Sequence, residues 1–133
     1  MTLAPRLLVV DDDRAFRLTT SALLKASGYR VDVAADSREA GDMLQTSRYD
    51  LMILDLRMPV MDGFETTRRI RHIERGRRRT PILALTASAM EDDQRRCREA
   101  GMDAFLTKPV RIGEIQRALE RLNPLEAVAP GGN

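Results

Sequence analysis

The feature that most constrains this chain is an alternation: five short apolar runs with strand character, each followed by a helix-patterned segment, within 133 residues. Leu7-Leu-Val-Val10 is the first run, and Asp11-Asp-Asp13 ends it. Arg14 to Ser27 then carries Ala15, Leu18, Ala22, Leu23 and Ala26 at a spacing of about 3.6 residues, the mark of an amphipathic helix. Gly28 stops that helix, as glycine does just past a C-terminus. Tyr29 to Ala34 reads as a second strand. Asp36-Ser-Arg-Glu39 has the form of a capping box opening a helix to about Thr46. Leu51-Met-Ile-Leu54 is apolar throughout, as expected of a strand buried on both faces. Gly63 to Glu74 is helical, Pro81 to Leu85 strand-like, Ser88 to Ala100 helical and closed by Gly101, Ala104 to Thr107 a short strand, and Ile112 to Leu122 the last helix. Five βα units in this order imply a parallel sheet with helices on both faces. Right-handed crossovers then leave few topologies, and an α/β, doubly wound three-layer sandwich is the natural choice, expected here with strand order 2-1-3-4-5.

Composition narrows the function. Cys97 is the only cysteine, which excludes an internal disulfide and a cysteine-based zinc site. His72 is the only histidine, which rules out His-rich metal sites and argues against a Ser-His-Asp triad. The opening residues are too short and weakly apolar for a signal peptide. No apolar stretch approaches the roughly eighteen residues that span a bilayer. A cytoplasmic domain is expected over residues 6–123, with residues 1–5 as an extension and 124–133 as an aperiodic tail or linker, too short for a DNA-binding domain. The chain uses 20 Arg and only 2 Lys, Lys25 and Lys108, so a lysine at a chemically suggestive position stands out.

That position is a strand end. Asp11 and Asp12 follow the first strand, Asp55 the third and Lys108 the fifth. The first and third strands are neighbours in such a sheet, so three carboxylates converge on its carboxyl edge, where these folds bind ligands. Two unit charges about 4 Å apart repel by about 4 kcal/mol at an effective dielectric near 20. The group therefore calls for a proton or a cation. Oxygen ligands without His or Cys select a hard ion, Mg²⁺ or Mn²⁺. Lys108 supplies a compact positive charge suited to carboxylate or phosphate oxygen. Thr86 brings a hydroxyl from the fourth strand, and Lys108-Pro109 is a candidate cis peptide. The residues point to a metal-dependent acidic site that handles phosphate, with the reaction open.

At these residues the chain resembles the receiver domain of two-component response regulators. The motifs are Leu-Leu-Val-Val-Asp-Asp-Asp (7–13), Leu-Asp-Leu-Arg-Met-Pro-Val-Met-Asp-Gly (54–63), Pro-Ile-Leu-Ala-Leu-Thr-Ala (81–87) and Phe-Leu-Thr-Lys-Pro (105–109). Together they cover roughly residues 6–122 in register. The resemblance implies a flavodoxin-like fold and makes Asp55 the phospho-acceptor. It gives Asp12 as the direct Mg²⁺ ligand, Asp11 as one acting mainly through water, and the Arg57 backbone carbonyl as a further ligand. It implies that Lys108 pairs with phosphoryl oxygens, and that Thr86 and Phe105 form the switch, although Phe105 also reads as ordinary core. Arg57 and Ser88 take the positions that tune phosphoryl lifetime. The implied partner is a histidine kinase or histidine phosphotransfer domain, with no direct nucleic acid contact. The implied role is a switch that catalyses its own phosphorylation and dephosphorylation, rather than an independent enzyme, in a monomer or weak dimer. The stretches around Met61-Asp-Gly-Phe-Glu and Ala84-Leu-Thr-Ala-Ser-Ala-Met are similar to receivers of hybrid sensor histidine kinases, with a stand-alone regulator as the alternative.

Other features read more simply. Asp13 is expected to cap the first helix, and Asp62-Gly63 to form a turn. Residues 68–79 hold seven arginines, either a solvated helix end or a docking patch for an acidic partner. Rival functions are weaker. A Mg²⁺ phosphohydrolase with an aspartyl-phosphate intermediate wants an acid two residues after its nucleophile, where Arg57 stands. A flavin carrier wants a Gly-rich phosphate loop where the three aspartates lie. A receiver-like module that takes no phosphate would not need the full set of Asp55, Thr86 and Lys108.

Overall fold

The structure, a computed structural model, describes residues 4–56, 62–75, 79–87 and 91–122. Five strands, β1 (Arg6–Val10), β2 (Arg30–Ala34), β3 (Leu51–Asp55), β4 (Ile82–Thr86) and β5 (Ala104–Thr107), form one parallel sheet in the order β2-β1-β3-β4-β5. Helices α1 (Arg14–Ala26), α2 (Ser37–Thr46), α3 (Gly63–Ile73), α4 (Glu91–Ala100) and α5 (Ile112–Leu122) alternate with them. The expected architecture and strand order are therefore observed. The tail 124–133 and the expected helix start at Ser88 lie outside the described residues.

The pleat sorts the core into two layers, because successive side chains point to opposite faces. Leu7 and Val9, with Leu51, Ile53, Leu83 and Leu85, pack against Leu24 of α1 and Ile115, Ala118 and Leu119 of α5. Leu8 and Val10, with Met52, Leu54, Ile82 and Ala84, pack against Ala40 of α2, Ile70 of α3 and Cys97 of α4. All residues of β3 and β4 are buried, which is why Leu51 to Leu54 shows no alternation.

Local signals hold well at helix ends. Asp13 caps α1, its Oδ1 accepting from the Ala15 amide at 2.9 Å. Asp36 accepts from Glu39 N at 2.8 Å, and the Glu39 carboxylate accepts from the Ala35 amide, one residue before the cap that a standard box would use. Gly28 follows α1 with φ +100.

One expectation is reversed in orientation. Ala15, Leu18, Ala22, Leu23 and Ala26, the periodic apolar set of α1, all face solvent, with Leu18 59% and Leu23 53% exposed. The inward side is Phe16, Arg17, Thr20, Ser21 and Leu24. Two anchors near the helix start fix this rotation: the Asp13 cap, and the Arg17 guanidinium donating to the Asp11 carbonyl at 2.8 Å.

The arginine-rich segment divides by role. Arg71 is largely buried and donates to Gly101 O (2.9 Å), Glu74 Oε1 (2.7 Å), Thr80 O (2.8 Å) and Asp103 Oδ2 (2.8 Å). Asp103 also accepts from the Ile82 amide and from Arg79, and Glu74 from the Thr80 amide. This network ties α3, the start of β4 and the α4–β5 turn together at the sheet's amino edge. Gly101 there has φ +106, and a Cβ would come within 3.0 Å of the Arg71 side chain. Arg77 and Arg78 lie outside the described residues.

Two outcomes follow for stability. Replacing Arg71 by Leu removes an ion-pair partner from the buried Glu74 and leaves Asp103 to the exposed Arg79 and the Ile82 amide, so urea unfolding should show a loss of about 3 kcal/mol, the low end for breaking a buried pair from one side. Tyr49 is buried and donates from its hydroxyl to Asp32 Oδ2 at 2.7 Å. Burial first, then the Asp32 carboxylate, push its pKa up to about 12. Its contribution is complete below the unfolded value near pH 10 and is lost as pH rises through about 12. Stability should fall across that window by about 1.4 kcal/mol per pH unit, and Tyr49→Phe should remove that component of the slope.

Candidate functional site

Parallel register builds the site. Val10 pairs with Leu54, so Asp11, just past β1, stands beside Asp55 at the end of β3. Asp55 pairs in turn with Leu85, and Thr86 with Thr107, which carries the edge across to Lys108. Sequence reading put Asp55 and Thr86 just at or beyond their strands; both are the last strand residue, and both are buried.

Asp55 is 4% exposed, and its Oδ2 is in an ion pair with the Lys108 ammonium. The Lys108 backbone amide donates to Thr86 O at 2.8 Å, so the lysine is tied to β4 before its side chain begins. The Lys108-Pro109 peptide is cis, as expected. The ammonium also lies 4.9 Å from the centroid of the Phe16 ring.

Asp11 is 1% exposed and held from several sides. Its amide donates to Ala34 O, its Oδ1 accepts from the Asp13 amide at 2.9 Å, and its carbonyl accepts from Arg17. Its Oδ2 is buried with no hydrogen-bond donor among the described residues. Burial pushes its pKa up to about 7, the Asp13 amide opposes the rise, and the neighbouring Asp55 carboxylate reinforces it, while Lys108 draws it back. Asp12 is half-buried next to it. Among the described residues, no three His, Cys, Asp or Glu side chains are drawn together as a ready metal-holding group. The carboxylate convergence expected from sequence is thus closest between Asp11 and Asp55, with Asp55 turned onto Lys108. Bringing a third anion inward would add repulsion to a pair already burdened by burial.

Phe105 of β5 is half-buried and packs on the core layer of α2, α3 and α4. Arg57, including its carbonyl, and Ser88 lie outside the described residues. Three contributors were not singled out from sequence. Arg17 braces the loop bearing Asp11, and Phe16 faces Lys108. No local pattern marks either, since both act across the loop or between elements. Gly63 was read as the start of a helix and, with Asp62, as a turn, not as part of the site; it is the first residue of α3, with Asp62 as its cap. A Cβ at Gly63 would meet Leu56 Cδ2 at 2.9 Å, Leu56 Cα at 3.0 Å and Asp55 O at 3.3 Å, so a side chain there would push on the segment leaving Asp55.

Residues 7–120 match the model of the response regulator receiver domain. The sensor histidine kinase GacS of Pseudomonas protegens is 42% identical over 109 residues, 80% of this chain and 12% of that protein. The response regulator MprA of Mycolicibacterium vanbaalenii is 38% identical over 117 residues, 88% of this chain and 49% of that protein. The chain thus spans less than half the length of these curated relatives. Among solved structures, the receiver domain of sensor histidine kinase PA1611 from Pseudomonas aeruginosa PAO1, described with a magnesium ion in its active-site cleft, superposes with a TM-score of 0.77 at 41% identity, over 90% of this chain and 97% of that one. With the β2-β1-β3-β4-β5 sheet and the acidic edge, these matches identify the chain as a response regulator receiver domain of the two-component phosphorelay family.

Proposed function

We propose that Asp55 accepts a phosphoryl group from a phosphohistidine on another domain, with Mg²⁺ held by Asp11, Asp12, Asp55 and the Arg57 carbonyl. The observation that carries this reading is the buried Asp55 carboxylate paired with Lys108, beside an Asp11 whose Oδ2 is buried without a donor among the described residues. A cation bound there would take the place of the missing donor and offset the burial that raises the Asp11 pKa to about 7. The donor set is all oxygen, which suits a hard divalent ion. When bound, the metal supplies positive charge for the phosphoryl oxygens.

The chain's own residues do the rest. A carboxylate oxygen of Asp55 forms the new bond to phosphorus while the phosphorus–nitrogen bond to the donor imidazole breaks, its electron pair leaving with the nitrogen. Lys108 passes its ammonium from Asp55 to a phosphoryl oxygen, and Thr86 offers its hydroxyl to another. Positioning and charge neutralisation account for such transfers, since little covalent chemistry is asked of the protein. Thr86 then reports occupancy, Phe105 turns inward with it, and the change biases the face near α4, β5 and α5; Arg57 and Ser88 set how long the phosphoryl group lasts. The domain acts as a switch that charges and discharges itself, not as a turnover enzyme. Its parent is a hybrid sensor histidine kinase, a reading supported by the similarity to GacS; the similarity to MprA supports the alternative of a response regulator.

The outward apolar stripe of α1 fits the donor's arrival. Leu18 and Leu23 are highly exposed on the helix whose start flanks Asp11 and Lys108, and a helical donor carrying its histidine to Asp55 would bury them.

Acetyl phosphate should label the wild type in a Mg²⁺-dependent manner and leave Asp55→Asn unlabelled; equal labelling of the two would remove Asp55 from its role. The double variant Leu18→Asp, Leu23→Asp should keep acetyl phosphate labelling while transfer from a phosphorylated histidine donor slows roughly tenfold, the effect of about 1.4 kcal/mol lost at the interface.

A further inference from the structure

We infer that Phe16 is a positioning residue for phosphoryl transfer: its ring face holds the Lys108 ammonium over Asp55. The inference deepens the acceptor reading and rests on it. Three observations converge. The Lys108 ammonium contacts Asp55 Oδ2 and lies 4.9 Å from the Phe16 centroid, so it is gripped between a carboxylate and an aromatic face. The ring is itself fixed. Phe16 sits in the first turn of α1, where the Asp13 cap accepts from its amide at 3.4 Å, and its side chain packs against the α1–α5 core layer. It also lines, with Lys108 itself, an open cleft of about 500 Å³ whose other walls include Thr20, Leu23, Pro109, Val110 and Ile115.

The chemistry explains why an aromatic ring suits this place. A lysine stem has four flexible bonds, and an ammonium at a strand end has many orientations in water. A second carboxylate would hold it but would compete with the phosphoryl oxygens for its charge. A ring face attracts the cation through its quadrupole and directs it without bringing a competing anion, so the charge stays available to oxygen partners. Phe16 therefore reduces the orientations Lys108 must give up when the phosphoryl group arrives, without neutralising it.

The test compares Phe16→Leu, which keeps apolar volume but has no ring, with Phe16→Tyr, which keeps the face. Because Lys25 and Lys108 are the only lysines, selective ¹³C labelling of lysine gives two side-chain signals, assigned with Lys25→Arg. The ε-methylene protons of Lys108 should be shifted upfield of those of Lys25 by the ring, return toward them in Phe16→Leu, and remain shifted in Phe16→Tyr. Acetyl phosphate labelling should slow roughly fivefold to tenfold in Phe16→Leu and stay near wild type in Phe16→Tyr, in line with the usual strength of a partly desolvated cation–π contact. Equal labelling rates in all three proteins, or a Lys108 signal indifferent to Phe16→Leu, would overturn the role of Phe16 alone. Failure of the wild type to label at all would instead overturn the acceptor reading, and the rate claim with it.

Discussion

The register between β1 and β3 is the constraint on which the site depends. Because Val10 lies opposite Leu54, the residues that leave these two strands are Asp11 and Asp55, and both carboxylates are buried at one edge. A slip of one residue would turn each strand's side chains to the other face. Register is therefore guarded by the core itself: Leu7 and Val9 must meet α1 and α5 while Leu8 and Val10 meet α2, α3 and α4. The packing that stabilises the domain also aims its chemistry.

Two buried anions in contact would destabilise the edge if nothing opposed them, and the fold supplies opposition from three directions. Lys108 pairs with Asp55, the Asp13 amide satisfies one oxygen of Asp11, and Arg17 braces the Asp11 carbonyl. One oxygen of Asp11 is left without a donor among the described residues, so the edge is nearly but not fully balanced. At the opposite edge, Arg71 satisfies Glu74, Asp103 and two carbonyls at once. One edge of the sheet is closed electrostatically, the other kept responsive.

The outward stripe of α1 shows how far periodicity can be trusted. Leu18, Ala22 and Leu23 recur at helical spacing, and this correctly marks a helix. Periodicity carries no information about which side meets the sheet when both sides hold some apolar residues. Phe16 and Leu24 supplied the inward side with the small residues Thr20 and Ser21 between them, and the smaller hydrophobic count there concealed it.

The alternation of elements, the buried central strands, the helix caps at Asp13 and Asp36 and the family motifs were all legible in the sequence, because each depends on residues a few positions apart. Asp11, Asp12, Asp55, Thr86 and Lys108 could be singled out for the same reason: each ends a recognisable strand, and the doubly wound topology brings those ends together. Tertiary structure alone decided what no local pattern encodes. It set the rotation of α1, the grip of Phe16 on Lys108, the brace from Arg17, the closeness of Gly63 to the Asp55 segment and the division of the arginine-rich run. These rest on contacts between elements far apart in the chain, where distance, burial and partner are fixed only once the sheet has closed its two layers.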